Sequence, residues 1–186
     1  MAVIHQVILR PSKSELLAEW LPGQTWWPNG IAEFSIEDSF RLDDPAGEVG
    51  VEALLLRSAA GESFHVPLTY RGAPCDGAGL VGTLEHPVLG HRWVYDAPTD
   101  PVYRAVVADT IRLAGHQANE ELHQADGSVT EAELTAHAWG TGGADGLDEV
   151  CVIHRPAKPV REDDGAPALL ATWANHPEPA VLVTLS

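Results

Sequence analysis

Six tryptophans and nine histidines in 186 residues carry most of the chemical potential of this chain. Trp20, Trp26, Trp27 and Trp93 offer one reading as an aromatic platform for a sugar, whose apolar face stacks on indole. Trp20 and Trp93 also fall at the apolar phase of regular elements, which is a core reading. Trp26-Trp27-Pro28 sits in a turn and is the better contact for a ligand or partner. A second set, Tyr70, Arg71, Trp93 and Tyr95, could line a pocket between two halves of the molecule. Arg71 would there hold an anionic group, because a guanidinium fork matches carboxylate and phosphate.

Other reactive patterns are missing. His86-x4-His91 spans a loop and His116-x6-His123 separates two histidines by two helical turns; no H-E-x-x-H, H-x-H or Cys-His cluster occurs. There is no G-x-S-x-G nucleophile elbow, no phosphate-cradling glycine loop, no kinase catalytic loop and no D-F-G. Asp43-Asp44 resembles a metal carboxylate pair, but Pro-Ala-Gly follows it and makes it a turn. No catalytic residue, metal or cofactor is expected.

Charge narrows the partners. Eleven basic residues against 27 acidic ones give a formal charge of −16, and the only lysines are Lys13 and Lys158. Such a field repels phosphate backbones and anionic lipid surfaces, so nucleic acid and membrane are not expected partners. The start M-A-V-I-H-Q-V-I-L-R lacks the features of a signal peptide, and no apolar run approaches 18 residues. A cytoplasmic protein is expected. Cys75 and Cys151 leave a disulfide open, but two isolated thiols are the favoured reading.

The elements that must position these residues read as α+β: twisted antiparallel sheet with two main helices, near 12–21 and 101–119, packed on it. A β-branched strand spans 2–9. Ser12-Lys13-Ser14-Glu15 is a capping box, after which Leu16, Leu17, Trp20 and Leu21 form one apolar helical face ended by Pro22-Gly23. Strands are expected at 33–42, 49–57, 63–70 and 91–96, with the glycine-rich stretch 71–82 as a loop. Asp100-Pro101 starts the second helix, which should reach about residue 120 unless Gly115 shortens it. Residues 129–139 alternate apolar and polar, which favours strand over helix. Strands at 150–154, 168–173 and 180–185 complete a meander, interrupted by a Pro- and charge-rich loop at 155–167.

S-E-L-L-A-E-W-L-P, F-R-L-D-D-P-A-G-E-V-G-V-E, H-V-P-L-T-Y-R-G-A-P and V-L-G-H-R-W-V-Y-D-A-P-T-D-P-V resemble the N-terminal cap of actinobacterial maltokinases and related glucosamine kinases. The chain is still more similar to short stand-alone proteins described as maltokinase N-terminal cap-like. The similarity covers residues 2–115, and the tail 168–186 matches the stand-alone group. It implies a cap-like region over 1–115 and a C-terminal β-meander over 116–186 packed on it as one compact unit. Kinase phosphate-binding and catalytic residues lie in parts absent from this chain, so none is carried over. Two functions follow. One is a non-catalytic interaction or regulatory module in trehalose, maltose, glycogen or amino-sugar metabolism. It would touch a carbohydrate kinase or synthase, or a second copy of itself, through Trp26-Trp27 or an open sheet edge. The alternative is a binding protein or enzyme for a sugar or anionic metabolite, using the Tyr70–Arg71–Trp93–Tyr95 pocket.

Overall fold

The computed structural model describes residues 2–5, 9–123, 129–143, 146–156 and 166–186. In chain order these give β1 (Ala2–His5), α1 (Lys13–Trp20), β2 (Phe34–Leu42), β3 (Gly50–Ser58), β4 (Ser63–Arg71), β5 (Leu80–His86), β6 (Gly90–Asp96) and α2 (Pro101–Arg112). Then come β7 (Glu120–His123), β8 (Val129–Glu131), β9 (His137–Gly140), β10 (Val150–Val152), β11 (Ala168–Trp173) and β12 (His176–Leu185). Single 3-10 turns follow α1 at Leu21–Gly23 and precede α2 at Ala97–Thr99. The class is α+β. Residues 6–8 of the expected strand 2–9 and residues 157–165 of the expected loop 155–167, with Lys158, lie outside the described residues, as does the side chain of His5.

The central element is a five-stranded antiparallel sheet in the order β2-β3-β4-β6-β5. Its inner strand β3 reads V-E-A-L-L-L and is buried at every one of those positions. A continuous apolar run is what a strand covered on both faces requires. On one face Leu54, Leu56, Phe64, Val66, Leu68 and Val94 pack under Leu16, Leu17 and Leu21 of the α1 region. On the other, Phe40, Val51, Ala53 and Leu55 meet Val106, Val107 and Ile111 of α2, together with Leu169, Trp173, Leu182 and Leu185 from the C-terminal strands. Each fully buried side chain of this kind stabilises the fold by about 2 kcal/mol.

Those C-terminal strands form a second antiparallel sheet, β10-β12-β11-β9, and a small third sheet is ordered β1-β7-β8. In the third, β1 pairs with β7 in parallel, with Ala2 opposite Glu120 and His5 opposite His123.

Helix starts match their local code. Ser12 Oγ accepts from the Glu15 N–H at 3.3 Å, while Glu15 Oε2 accepts from the Ser12 N–H at 2.8 Å. Asp100 caps α2 by accepting from the Val102 N–H at 2.9 Å. Three expectations need correction. Helix α2 stops at Arg112 rather than near 119, because Ala114 takes a positive φ of 50° and the Gly142 N–H takes up the Ile111 carbonyl. The supposed loop 71–82 gives way to strand β5 from Leu80 onward. There Gly82 lies so close to Leu16 of α1 that an added Cβ would come within 2.5 Å of it. Glycine serves here to let a helix approach a strand rather than to make a turn. Strand β7, finally, lies where no element was expected. The stretch 129–139 holds strand at its two ends, β8 and the start of β9, while residues 132–136 between them belong to no strand; Ala136 and Ala138 are buried and Thr135 and His137 exposed.

Candidate interaction site

The turn after α1 separates its two tryptophans. Trp27 is only 7% exposed and packs against Phe34 and Phe64, with ring centroids at 5.9 and 4.5 Å. Its Nε1–H donates to the Ile31 carbonyl at 3.3 Å. Trp27 is therefore a core residue. Trp26 is half-buried; its edge meets Trp20 and Trp27, and its face is stacked on the His154 imidazole at 4.0 Å and 5°.

His154 belongs to a segment that runs along β4. The His65 N–H donates to the His154 carbonyl at 2.9 Å, and His154 Nδ1 donates to the His65 carbonyl at 3.0 Å. His65 is fully buried, with Nδ1 at 3.3 Å from the Ile153 carbonyl. Burial and the neighbouring His154 push His65 down to about 3, against a smaller upward pull from the Ile153 and Leu182 carbonyls. His154 is also lowered, chiefly by burial. Both rings are neutral at pH 7, which suits stacking on indole and donation to a carbonyl.

The second set divides between the two sheet faces. Arg71 pairs with Trp93 and Thr69 with Tyr95, whereas Tyr70 pairs with Val94. Side chains alternate along a strand, so Tyr70 points to the α1 face and Arg71, Trp93 and Tyr95 to the α2 face. The four do not converge on a pocket between halves. Period-2 alternation places neighbours 70 and 71 apart.

Their polar ends hold the fold together. Asp100, with no exposed surface, accepts from Arg71 Nε at 2.7 Å, Arg71 Nη2 at 2.6 Å, Thr69 Oγ1 at 2.8 Å and the Val102 N–H. Burial alone would raise the Asp100 carboxyl, but these donors and the Arg71 charge hold it below the usual range. The bidentate pair is the strong form of such a contact. Tyr95 is buried and its oxygen accepts from the Cys75 N–H at 2.7 Å, fixing the loop after β4. Trp93 meets His91 edge-on at 4.4 Å, and His91 Nδ1 lies 2.6 Å from Glu85 Oε1.

Sequence reasoning missed an ionic cluster on the α1 face. Glu52 is 3% exposed and accepts from Lys13 Nζ at 2.6 and 2.8 Å and from the Tyr70 hydroxyl at 2.7 Å, with Arg41 Nη2 at 3.5 Å. Burial opposes its ionisation, yet Lys13, Arg41 and the Tyr70 hydrogen bond bring it down to about 2. Glu120 of β7 is buried beside the same group, and burial raises its carboxyl despite Arg41 and Lys13. The readable signal was a lone glutamate inside the apolar run of β3 in a chain with only two lysines.

Among the described residues, no group of three His, Cys, Asp or Glu side chains is placed to hold a metal ion, and no helix is long and apolar enough to cross a membrane. A shallow open depression lies beside the start of α1, lined by Leu9, Arg10, Pro11, Ser12, Glu15 and Glu19. None of the six residues singled out in the sequence lines it.

No curated protein matches the chain. Residues 20–100, which run from the end of α1 through the five-stranded sheet to the cap of α2, match the family described as the maltokinase N-terminal cap domain. The match supports a cap-like domain over that span, which holds the aromatic turn, the five-stranded sheet and the Arg71–Asp100 lock.

Proposed function

We propose that this chain is a non-catalytic interaction module that acts through contact with a carbohydrate kinase or synthase in the cytoplasm. The metabolism it serves is that of maltose, trehalose, glycogen or amino sugars. One observation carries the reading: the segment similar to a kinase cap is a sheet whose best-placed polar groups are committed to internal partners. Arg71 is locked to Asp100 and Tyr70 to Glu52, so the side chains suited to gripping an anionic metabolite are holding a strand to the start of α2 and one strand to its neighbour instead. Residues 116–186 act with the cap-like region 1–115 as one compact unit. This is supported by a core cluster that runs from Phe40 and Val51 through α2 to Leu182 and Leu185.

Binding tests the positive half of this reading. Purified chain immobilised on a sensor should retain a maltokinase or a glucosamine kinase, and the complex should co-elute on size exclusion. Saturable binding of maltose, glucosamine or a sugar phosphate with no kinase retained would reverse the choice in favour of a metabolite-binding protein.

A further inference from the structure

Strand β4 has one half that its own sheet leaves open. Strand β3 runs along Ser63–Tyr70 on one side, but β6 pairs on the other side only with Leu68–Arg71. Among the described strands, Ser63–Pro67 therefore has no ladder partner on that side. An open edge of this kind is where an extended peptide adds to a sheet.

In this structure the stretch is covered by the chain's own Ile153–Pro156. The fit has three parts. The backbone of His65 pairs with His154, through the 2.9 Å bond to its carbonyl and the 3.0 Å bond from its imidazole. The His154 ring lies flat on Trp26. Arg155 Nη2 meets Glu62 Oε1 at 2.6 Å, with its guanidinium 5.9 Å from the centre of the Phe64 ring. Upstream, the segment is anchored to the second sheet, where the Ile153 N–H donates to the Leu182 carbonyl at 2.8 Å.

A bare connection between two sheets would need the backbone bonds alone. Here a flat ring and a cation are each matched to a receiving group, as in a bound peptide. The match is incomplete, because His65 Nε2 is buried without a partner. The Arg155–Glu62 pair is about half exposed, at 55% and 41%, and so holds the segment weakly.

We propose that the surface formed by the open half of β4, Trp26 and Glu62 is a peptide-docking site filled in cis by Ile153–Pro156. The partner it fits presents an extended segment with an apolar residue, a flat ring and a cation in succession. Charge agrees with this choice, since a chain of formal charge −16 favours a cationic segment over a second copy of itself. The inference rests on the interaction-module reading above and names the segment such a partner would present.

The test uses a fluorescein-labelled peptide Val-Ile-His-Arg-Pro and two full-length proteins, wild type and the double variant His154→Gly/Arg155→Gly. The peptide should bind the variant at least tenfold tighter than wild type, and replacing its arginine by glutamate should weaken that binding at least tenfold. Equal affinity for both proteins, or no binding to a variant that retains its circular dichroism, overturns the site. Should the variant not fold, hydrogen exchange on wild type decides. The His65 amide should exchange at least tenfold faster than the Leu55 amide inside β3, and matched rates mean that the segment never lifts on its own. A kinase that binds wild type and variant equally removes this site but keeps the module. Peptide docking without kinase binding does the opposite.

Discussion

Replacing Glu52 by glutamine removes the charge at the centre of the α1-face cluster while keeping its shape. The carboxylate is fully enclosed and holds Lys13, Tyr70 and Arg41 together. Its pKa of about 2 in the fold compares with roughly 4.3 for a solvated glutamate, a difference equivalent to about 3 kcal/mol of folding free energy. Removing one partner of a buried ion pair costs about 3–5 kcal/mol, so two routes give the same size. The sign follows from the lowered pKa: the stabilisation is complete above about pH 4.3 and is lost as pH falls toward 2. Urea unfolding followed by tryptophan emission, at pH 7 and again near pH 3, measures it. The gap between wild type and Glu52→Gln should be about 3 kcal/mol at pH 7 and should narrow at pH 3. The double variant Lys13→Met/Glu52→Gln should recover part of the loss, because Lys13 no longer faces an empty site. A gap under about 0.5 kcal/mol, or one of equal size at both pH values, would refute the cluster as an ionised pair.

Three further changes probe other contacts. Arg71→Ala leaves the buried Asp100 carboxylate with only Thr69 and the Val102 N–H, and should lower Tm by about 10 °C in a calorimetric scan. Gly140→Ala should cost about 3 kcal/mol by urea midpoint, since the new Cβ would come within 2.6 Å of Ile111 Cα and 2.8 Å of the Thr110 carbonyl carbon, both backbone atoms of α2. Asp96, pushed up to about 6 by burial, destabilises the fold once ionised: its contribution is present below about pH 3.9 and is lost as pH rises through 6. Asp96→Asn should therefore gain about 1 kcal/mol over wild type at pH 7 and little at pH 4, allowing for partial solvent access.

The elements most legible in the sequence were those whose signal is local. Ser12 with Glu15, and Asp100 with Pro101, announce helix starts within four residues, and both caps form as their side chains require. The strand expected at 49–57 likewise forms, as β3 over Gly50–Ser58. What stayed hidden depends on partners far along the chain. Glu120–His123 is largely polar and becomes a strand between Ala2–His5, parallel on one side, and Val129–Glu131, antiparallel on the other. Gly82 looked like loop material, and its purpose appears only once Leu16 rests on it. The same holds for the site. Arg71 could be read as a free anion grip because nothing local ties it to Asp100, 29 residues away. Trp26 and Trp27 were indistinguishable as neighbours in a turn, and only the surrounding Phe34, Phe64 and His154 separate the core ring from the platform.

The claim that the cap-like chain supplies contact rather than chemistry is tested most directly by ADP release. Purified protein incubated with ATP, magnesium and either maltose or glucosamine should give a rate indistinguishable from the protein-free blank. Sustained turnover that scales with protein concentration would contradict it.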